Sequence, residues 1–165
     1  MSKLVILFAL LLPALAAARH VATTTTKQPL TLSGRTYCDT CQAGFVTPAT
    51  TYIQGAKVKI QCTSRKTQQV TWTSEEVETD STGTYHINID EEHEKETCDV
   101  LLVSSPVSGC SEIDPALNRV RVTLFRNNGI VGNDRMANSM GFRSADTLAA
   151  CDQVMEQYKI TDEDV

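Results

Sequence analysis

The number of cysteines constrains this chain more than any other feature of its sequence. There are six: Cys38, Cys41, Cys62, Cys98, Cys110 and Cys151. An even number in a chain that is exported from the cell predicts three disulfides. Six cysteines allow 15 pairings, and the residues alone do not choose among them.

The N-terminal segment predicts that the chain is exported. Lys3 precedes an unbroken apolar run, Leu4–Leu12, and the small residues Ala16–Ala18 follow it. This order of charge, apolar run and small residues is typical of a secretory signal peptide, here with cleavage after Ala18. The apolar run is shorter than the roughly 20 residues that a membrane-spanning helix needs.

The remaining chain has the size of one domain and is acidic. Removing residues 1–18 leaves 147 residues, with 14 basic and 20 acidic side chains and a net charge of −6. We expect residues 19–29 to form a flexible tail and residues 30–165 to form a single domain. The acidic balance argues against a nucleic-acid partner, and we expect a monomer that does not insert into membranes.

Alternating apolar and polar residues predict β-strands. The alternation occurs in Ala56–Cys62, Gln69–Thr73, Tyr85–Ile89 and Arg119–Phe125, while the more continuously apolar Cys98–Val103 suits a central strand. Period-two alternation is typical of strands with one face on a core and the other in water. Short strands at this spacing predict a β-sandwich or a small barrel.

Two local patterns add detail to this fold. Asn128-Gly129 lies between apolar residues, and both residues tolerate positive φ, so the pair predicts the tip of a hairpin. From Asp146 to Tyr158 the apolar residues recur at helical spacing. This predicts a C-terminal helix that Asp146 caps and that buries Cys151.

The segment Cys38-Asp39-Thr40-Cys41 is the sharpest local motif. A Cys-x-x-Cys pair can form a redox centre or half of a zinc site. A redox centre would lie where a strand enters a helix, whereas the residues after Cys41 suit a strand and a turn. A zinc site would need a second close pair of ligands, and the other cysteines are isolated in the sequence. We therefore favour two separate structural disulfides.

The histidines and acids permit a second metal hypothesis. His86 and His93 flank the acidic residues Asp90–Glu92, further acids follow at positions 94, 96 and 99, and such a cluster could attract a divalent ion. The alternative, which we favour, is a solvated loop, because a calcium loop would need a glycine at its sharp turn and this run has none.

Two arginines define a candidate partner surface. Arg119 and Arg121 lie two residues apart in a predicted strand, so both occupy its wetted face. This pair could bind an anionic wall polysaccharide or an acidic protein, or it could be a solvated strand face without a partner.

No catalytic apparatus is recognised in the sequence. There is no Gly-x-Ser-x-Gly element, no glycine-rich phosphate loop, and no motif that calls for a cofactor or a metal. Adjacent acids such as Glu75 and Glu76 would point to opposite faces of a strand. We expect a protein that is not an enzyme, and we rank a protease inhibitor equally low.

Gly34–Cys41, with Tyr37 before Cys-Asp-Thr-Cys, resembles the signature of the pollen Ole e I family. This is the plant group that includes the major olive pollen allergen and extensin-like relatives. The resemblance extends through Gly109-Cys110 and Met140-Gly141-Phe142 to Cys151. Gln42 departs from the family pattern, which usually has arginine there.

The resemblance implies a disulfide pairing, and a second pattern predicts the fold. The pairing is Cys38–Cys110, Cys41–Cys151 and Cys62–Cys98, which places the two cysteines of the motif in different bridges. Separately, Gly55-Ala56-x-Val58-x-Ile60 followed by Thr79-Asp80-x-x-Gly83-x-Tyr85 resembles transthyretin-like or carboxypeptidase-regulatory β-sandwich modules. We therefore expect a disulfide-stapled, seven-stranded β-sandwich or barrel, transthyretin-like or immunoglobulin-like, with one C-terminal helix.

The resemblance also implies a location and a role. Proteins of the family are secreted into the plant extracellular space, the apoplast, and are not known as enzymes. The implied role is binding or signalling in the growth of the pollen tube or of other cells, with a receptor-kinase ectodomain as partner. The alternative is a structural cell-wall protein that binds acidic polysaccharide.

Overall fold

The computed structural model describes residues 28–115 and 117–159. The predicted signal peptide and most of the predicted N-terminal tail lie outside the described residues, so those boundaries stay predictions. Within the described residues, no helix has the length and apolar character needed to cross a membrane.

The described residues form ten strands and one short helix. Their bounds are β1 Leu30–Asp39, β2 Thr51–Tyr52, β3 Lys57–Ser64, β4 Val70–Thr73, β5 Val77–Glu78, β6 Thr84–Ile89, β7 Glu96–Ser104, β8 Arg119–Val122, β9 Asp134–Met136, β10 Met140–Arg143 and α1 Cys151–Glu156. The strands form two five-stranded sheets: sheet I (β1, β2, β6, β9, β10) and sheet II (β3, β4, β5, β7, β8).

Sheet I is built around the long strand β1. The first half of β1 pairs antiparallel with β6 and parallel with β9. Its second half pairs parallel with β10 and antiparallel with β2. Each half of β1 therefore lies between two other strands. Leu30 and Leu32 in the first half are fully buried, whereas Thr31 between them is partly exposed, as alternation in a strand requires.

Sheet II covers the other side of the core. Its strand order is β4-β3-β7-β8, and β5 pairs with one end of β3. The inward residues of both sheets form one apolar cluster, which includes Leu30, Leu32, Val58, Ile60, Ile87, Val100, Leu102 and Phe142. This confirms the predicted mostly β fold, since two sheets that share one apolar core make a sandwich.

The strand predictions were right where the alternation was strong. Each of the five predicted segments overlaps one strand, although β8 ends at Val122 rather than at Phe125. The described residues contain ten strands instead of the seven predicted. Three of them, β2, β5 and β9, have only two or three residues, too few for a periodic pattern.

The predicted hairpin at Asn128-Gly129 is wrong. The segment after β8 leaves sheet II and reaches β9 in sheet I, so the strands on either side of this turn do not pair. Gly129 does have a positive φ of 86°, and the Asn128 side chain accepts a hydrogen bond from the Ile130 N–H. Asn128-Gly129 does form a turn, as predicted, but this turn lies in the segment that crosses from sheet II to sheet I.

The C-terminal helix is shorter than predicted. It begins at Cys151 instead of Asp146, and no side chain caps it. The backbone N–H of Leu148 bonds instead to the carbonyl of Thr40, which holds this part of the chain in an irregular turn. Cys151 is the buried residue of the helix, as predicted, while Leu148 and Tyr158 remain about half exposed.

Two glycines in sheet I make room for tyrosine rings. Gly34 lies directly opposite Tyr85, and a Cβ on Gly34 would stand 2.2 Å from the Tyr85 hydroxyl oxygen. Gly141 lies opposite Tyr37, and its Cβ would stand 2.7 Å from that ring. Tyr85 is fully buried, and this burial raises the pKa of its phenol. Glycine is therefore required at both positions.

The variant Gly34→Ala should lower the free energy of unfolding by about 1–3 kcal/mol, because the added methyl group would displace the buried Tyr85 ring. The control is Gly109→Ala, since a Cβ there meets no atom within 4 Å. This control should change the free energy by less than about 0.5 kcal/mol. Denaturant unfolding of both variants measures the difference, and equal values would contradict the packing argument.

Candidate functional site

The cysteines of the Cys-x-x-Cys motif belong to two different disulfides. Cys38 at the end of β1 is bonded to Cys110, and Cys41 is bonded to Cys151 in α1. The third bridge, Cys62–Cys98, joins opposite residues of β3 and β7 in sheet II. All six cysteines are paired, in the arrangement that the family resemblance implies. In this oxidised state no thiol is available for redox chemistry or metal binding.

The residues inside the motif shape the turn that follows β1. The buried Asp39 carboxylate accepts hydrogen bonds from the N–H groups of Ala43 and Gly44, at 2.9 and 2.7 Å. The Thr40 hydroxyl donates to the carbonyl of Ala49 at 2.9 Å. Burial, and to a smaller extent the charge of Asp39, raises the pKa of Tyr37 to about 12. The motif is therefore a structural turn with its polar groups satisfied.

Gln42, which departs from the family pattern, links this turn to strand β10. Its side-chain amide donates to the carbonyl of Ser144 at 2.9 Å, and its side-chain oxygen accepts from Arg143 at 2.6 Å. Arg143, on β10, thus lies beside the position where the family usually has an arginine. Glutamine at position 42 places a hydrogen-bond acceptor beside Arg143, where the usual arginine would place a second positive charge.

Sheet II presents cations on its outer face. Lys57 and Lys59 on β3 alternate with buried residues, and the exposed Arg119 and Arg121 on β8 lie on either side of the partly buried Val120. Asp99 lies between them on β7, directly opposite Arg121. We call the four cations the basic face. The sequence analysis predicted the two arginines but missed the lysines, although both are polar residues of the predicted strand Ala56–Cys62.

Acidic groups neutralise only part of the basic face. Arg121 Nε lies 2.6 Å from Asp99 Oδ1, and Arg119 Nη1 lies 3.9 Å from Asp99 Oδ2. Lys57 Nζ lies 3.9 Å from a carboxylate oxygen of Glu78. The Arg119 and Arg121 side chains remain 58% and 65% exposed. Exposed ion pairs are weak, so both guanidinium groups can exchange these contacts for a partner.

The arginines that follow in the sequence are not part of this surface. Arg135 is 3% exposed and donates to the carbonyls of Gly132 and Phe125, at 3.1 Å each. Arg126 binds the Glu92 carboxylate. These side chains fix the crossing between the sheets, so the basic stretch of the sequence is not one continuous surface.

We predicted a solvated loop between Ile89 and Cys98, and this prediction is wrong for His93. Its side chain is buried, with only 6% of its surface exposed. The N–H of His93 donates to the carbonyl of Leu124 at 2.9 Å, which ties the loop to the segment after β8. The His93 ring packs on the ring of Trp72, with centroids 4.5 Å apart. The sequence did not predict this burial, because His93 lies between two acidic residues.

Glu96 completes this cluster. Its carboxylate is paired with Nδ1 of His93, and its N–H donates to the His93 carbonyl at 3.2 Å. Hydrogen bonding by the Thr71 hydroxyl, and in addition by His93, holds the pKa of the Glu96 carboxyl below its usual value. The same cluster includes the Cys62–Cys98 bridge, because donor atoms of Cys62, His93, Glu96 and Cys98 lie within 4.8 Å of one another.

The lowered pKa of Glu96 predicts a pH dependence of stability. A carboxyl group whose pKa is lower in the folded chain stabilises it above the unfolded value, about 4.3, and loses this effect as the pH falls. Glu96→Gln should therefore be less stable than the unchanged protein at pH 7, and the difference should shrink steadily below about pH 4.3.

Denaturant unfolding followed by the fluorescence of Trp72, the single tryptophan, gives this difference at each pH. Glu94→Gln on the same loop is the control, since Glu94 is exposed. A difference between the Glu96 variant and the unchanged protein that stays constant from pH 7 to pH 3 would contradict the assignment.

Known proteins resemble this chain along most of its length. The family model described as "Pollen protein Ole e 1 like" matches residues 28–159. The pollen-specific protein C13 of Zea mays is 41% identical over 133 residues, which cover 81% of this chain and 78% of that protein. The Olee1-like protein of Betula pendula is 38% identical over 137 residues, with 81% and 82% covered.

A solved structure supports the same relationship. The crystal structure of the major plantain pollen allergen Pla l 1 superposes with a TM-score of 0.67 at 25% identity. The superposition covers 74% of this chain and 99% of the allergen. The family match, the curated relatives and the shared fold agree, and the chain therefore belongs to the Ole e 1-like pollen protein family.

Proposed function

We propose that this protein is a secreted, non-enzymatic binding protein of the plant extracellular space, and that its basic face binds the partner. The observation that carries the proposal is the convergence of four cations on one sheet face of a chain with a net charge of −5. Such a separation of charge steers an anionic partner to one surface and orients it there.

The three disulfides support the extracellular location. Disulfides form and persist in oxidising compartments, and here they close loops in which the bonded residues are 36 to 110 positions apart. The N-terminal signal peptide predicted from the sequence would deliver the chain to such a compartment. Non-enzymatic function is supported by the names of the relatives, since none of them names a reaction.

A half-buried apolar residue in the basic face favours a protein as partner. Leu101 lies between Lys59 and Arg119 in one row across the strands. Protein interfaces combine an apolar centre with a polar rim, and arginine is enriched in them. The partner that suits this face is the acidic surface of a receptor ectodomain, such as that of a receptor kinase that controls the growth of the pollen tube or of other cells.

An acidic cell-wall polysaccharide is the second candidate. The exposure of both arginine side chains favours it, because a guanidinium group can form paired hydrogen bonds with the carboxylate of a uronic acid. The protein would then be a structural component of the wall, retained by charge.

The double variant Arg119→Glu/Arg121→Glu tests whether the basic face, and not the net charge of the protein, binds the partner. Its affinity for the receptor ectodomain should fall at least about tenfold, because two attractive charges become repulsive. The control Lys66→Glu/Lys95→Glu changes the net charge equally at exposed residues outside the basic face and should bind normally. Thermal unfolding should show that both variants are folded.

Binding to a panel of plant receptor ectodomains and retention on pectin distinguish the two partners. Receptor binding that the arginine variant loses and the control keeps supports the first proposal. Salt-sensitive retention on pectin with no receptor bound supports the second. Equal losses in both double variants, or no binding to either partner, would overturn the assignment of the basic face.

A further inference from the structure

A cleft opens at one end of sheet II, where three segments of the chain meet. They are the turn between β3 and β4, the loop before β7 and the segment after β8. An outer pocket of about 590 Å³ is lined by Ser64, Arg65, Lys66, Glu94, Lys95 and Phe125. An inner pocket of about 250 Å³ shares Arg65 and Phe125 with it and also includes Arg121. Because the two pockets share these walls, they form one cleft.

Hydrogen bonds hold the three walls of the cleft in place. In the turn between β3 and β4, the Ser64 hydroxyl accepts from the N–H of Lys66 at 3.3 Å. Arg65 Nε donates to the carbonyl of Glu96 at 3.1 Å, which joins this turn to the loop before β7. The N–H of His93 joins the loop to the segment after β8. The cleft is therefore formed before a ligand enters, which lowers the entropic cost of binding.

The cleft contains more cations than acids. Arg65, Lys66 and Lys95 line the outer pocket, and none of them forms an ion pair within the residues that the structure describes. The outer pocket contains one acid, Glu94, and the inner pocket contains Glu96, whose carboxylate is already paired with a histidine. An excess of unpaired cations favours an anionic ligand.

Two arginines of the inner pocket are suited to a carboxylate. Arg65 Nε is engaged by the carbonyl of Glu96, and Arg121 Nε by the Asp99 carboxylate. The terminal nitrogen atoms of both guanidinium groups have no hydrogen-bond partner among the described residues. Such groups form paired hydrogen bonds with a carboxylate. Since both arginines line one small pocket, a single carboxylate can reach both of them.

The outer pocket is mainly apolar despite its cations. Phe125 is partly buried and lines both pockets, and the aliphatic stems of Lys66 and Lys95 supply further apolar surface. A flat ring packs well against an aromatic side chain. The volume of about 590 Å³ lies within the range of known ligand pockets and accommodates one ring with a short chain.

We propose that this cleft binds a small aromatic carboxylate. The carboxylate lies between Arg65 and Arg121 in the inner pocket, and the ring lies beside Phe125 in the outer pocket. Lys66 and Lys95 add attraction for the negative charge. The cleft shares Arg121 with the basic face, but the inference does not rest on the function proposed for that face, because a small ligand and a macromolecular partner are measured separately.

Nuclear magnetic resonance of the folded, oxidised mature chain tests the proposal with cinnamate as the ligand. Cinnamate should shift the backbone amide signals of residues 64–66, 94–97 and 121–125 in a saturable way, with a Kd of about 0.1–1 mM. Cinnamamide lacks the charge and acetate lacks the ring, so each should bind at least about tenfold more weakly. No saturable shift up to about 10 mM cinnamate, shifts confined to other residues, or equal binding of cinnamamide or acetate would overturn the proposal.

Variants distinguish the cleft from the basic face. Arg65→Ala should weaken cinnamate binding about tenfold or more, and Arg65→Lys should weaken it less, because lysine keeps the charge without the planar fork. The matched control Lys59→Ala removes a cation of the basic face that does not line the cleft, and it should bind cinnamate normally.

The double variant Lys66→Glu/Lys95→Glu separates this proposal from the preceding one. It should lose cinnamate binding and keep receptor binding, whereas failure of the basic face to bind a receptor would leave the cinnamate result unchanged. Thermal unfolding should show that each variant is folded. Unchanged cinnamate affinity in Arg65→Ala, or an equal loss in Lys59→Ala, would contradict the assignment of the cleft.

Discussion

The two disulfides at the end of β1 hold together parts of the chain that are far apart in the sequence. Cys38–Cys110 and Cys41–Cys151 join residues 72 and 110 positions apart. In the chain-entropy account, closing loops of this length contributes about 4–5 kcal/mol per bridge, against a net stability of about 5–15 kcal/mol for a typical domain. Because β1 also pairs with four strands, fixing its end fixes sheet I.

This arrangement divides the molecule into a scaffold and a surface. The Cys-x-x-Cys motif, with its buried carboxylate and satisfied turn, lies in the scaffold of sheet I. The basic face and the cluster around His93 lie on sheet II, whose strands β3 and β7 form its longest pair. Substitutions on the outer face of sheet II can therefore change the charge of the basic face without disturbing the two disulfides on which sheet I depends.

The alternation of apolar and polar residues predicted those strands whose buried face can be read from neighbouring residues. The strands β3, β6 and β7 have four or more residues with a clear buried face, and the sequence analysis found each of them. The parallel pairing of β1 with β9 and β10 joins segments about 100 residues apart, and a periodicity cannot report such a register. The disulfide pairing came from the family resemblance, because 15 pairings were open to the residues alone.

The surface was harder to predict than the fold. Arg119 and Arg135 look alike in the sequence, yet one is exposed on a strand and the other is buried against backbone carbonyls. The burial of His93, a loop residue, likewise depends on Trp72, which approaches it from strand β4 of sheet II. Only the packing of distant segments decides which charged residues reach solvent.

The Cys-x-x-Cys motif is a structural element whose two cysteines belong to different bridges. Proteolysis of the secreted, unreduced protein followed by mass spectrometry identifies the joined peptides, and a thiol reagent counts free cysteines. We expect the bridges Cys38–Cys110, Cys41–Cys151 and Cys62–Cys98, with no free thiol. A Cys38–Cys41 bridge, or a reactive thiol at either position, would contradict it.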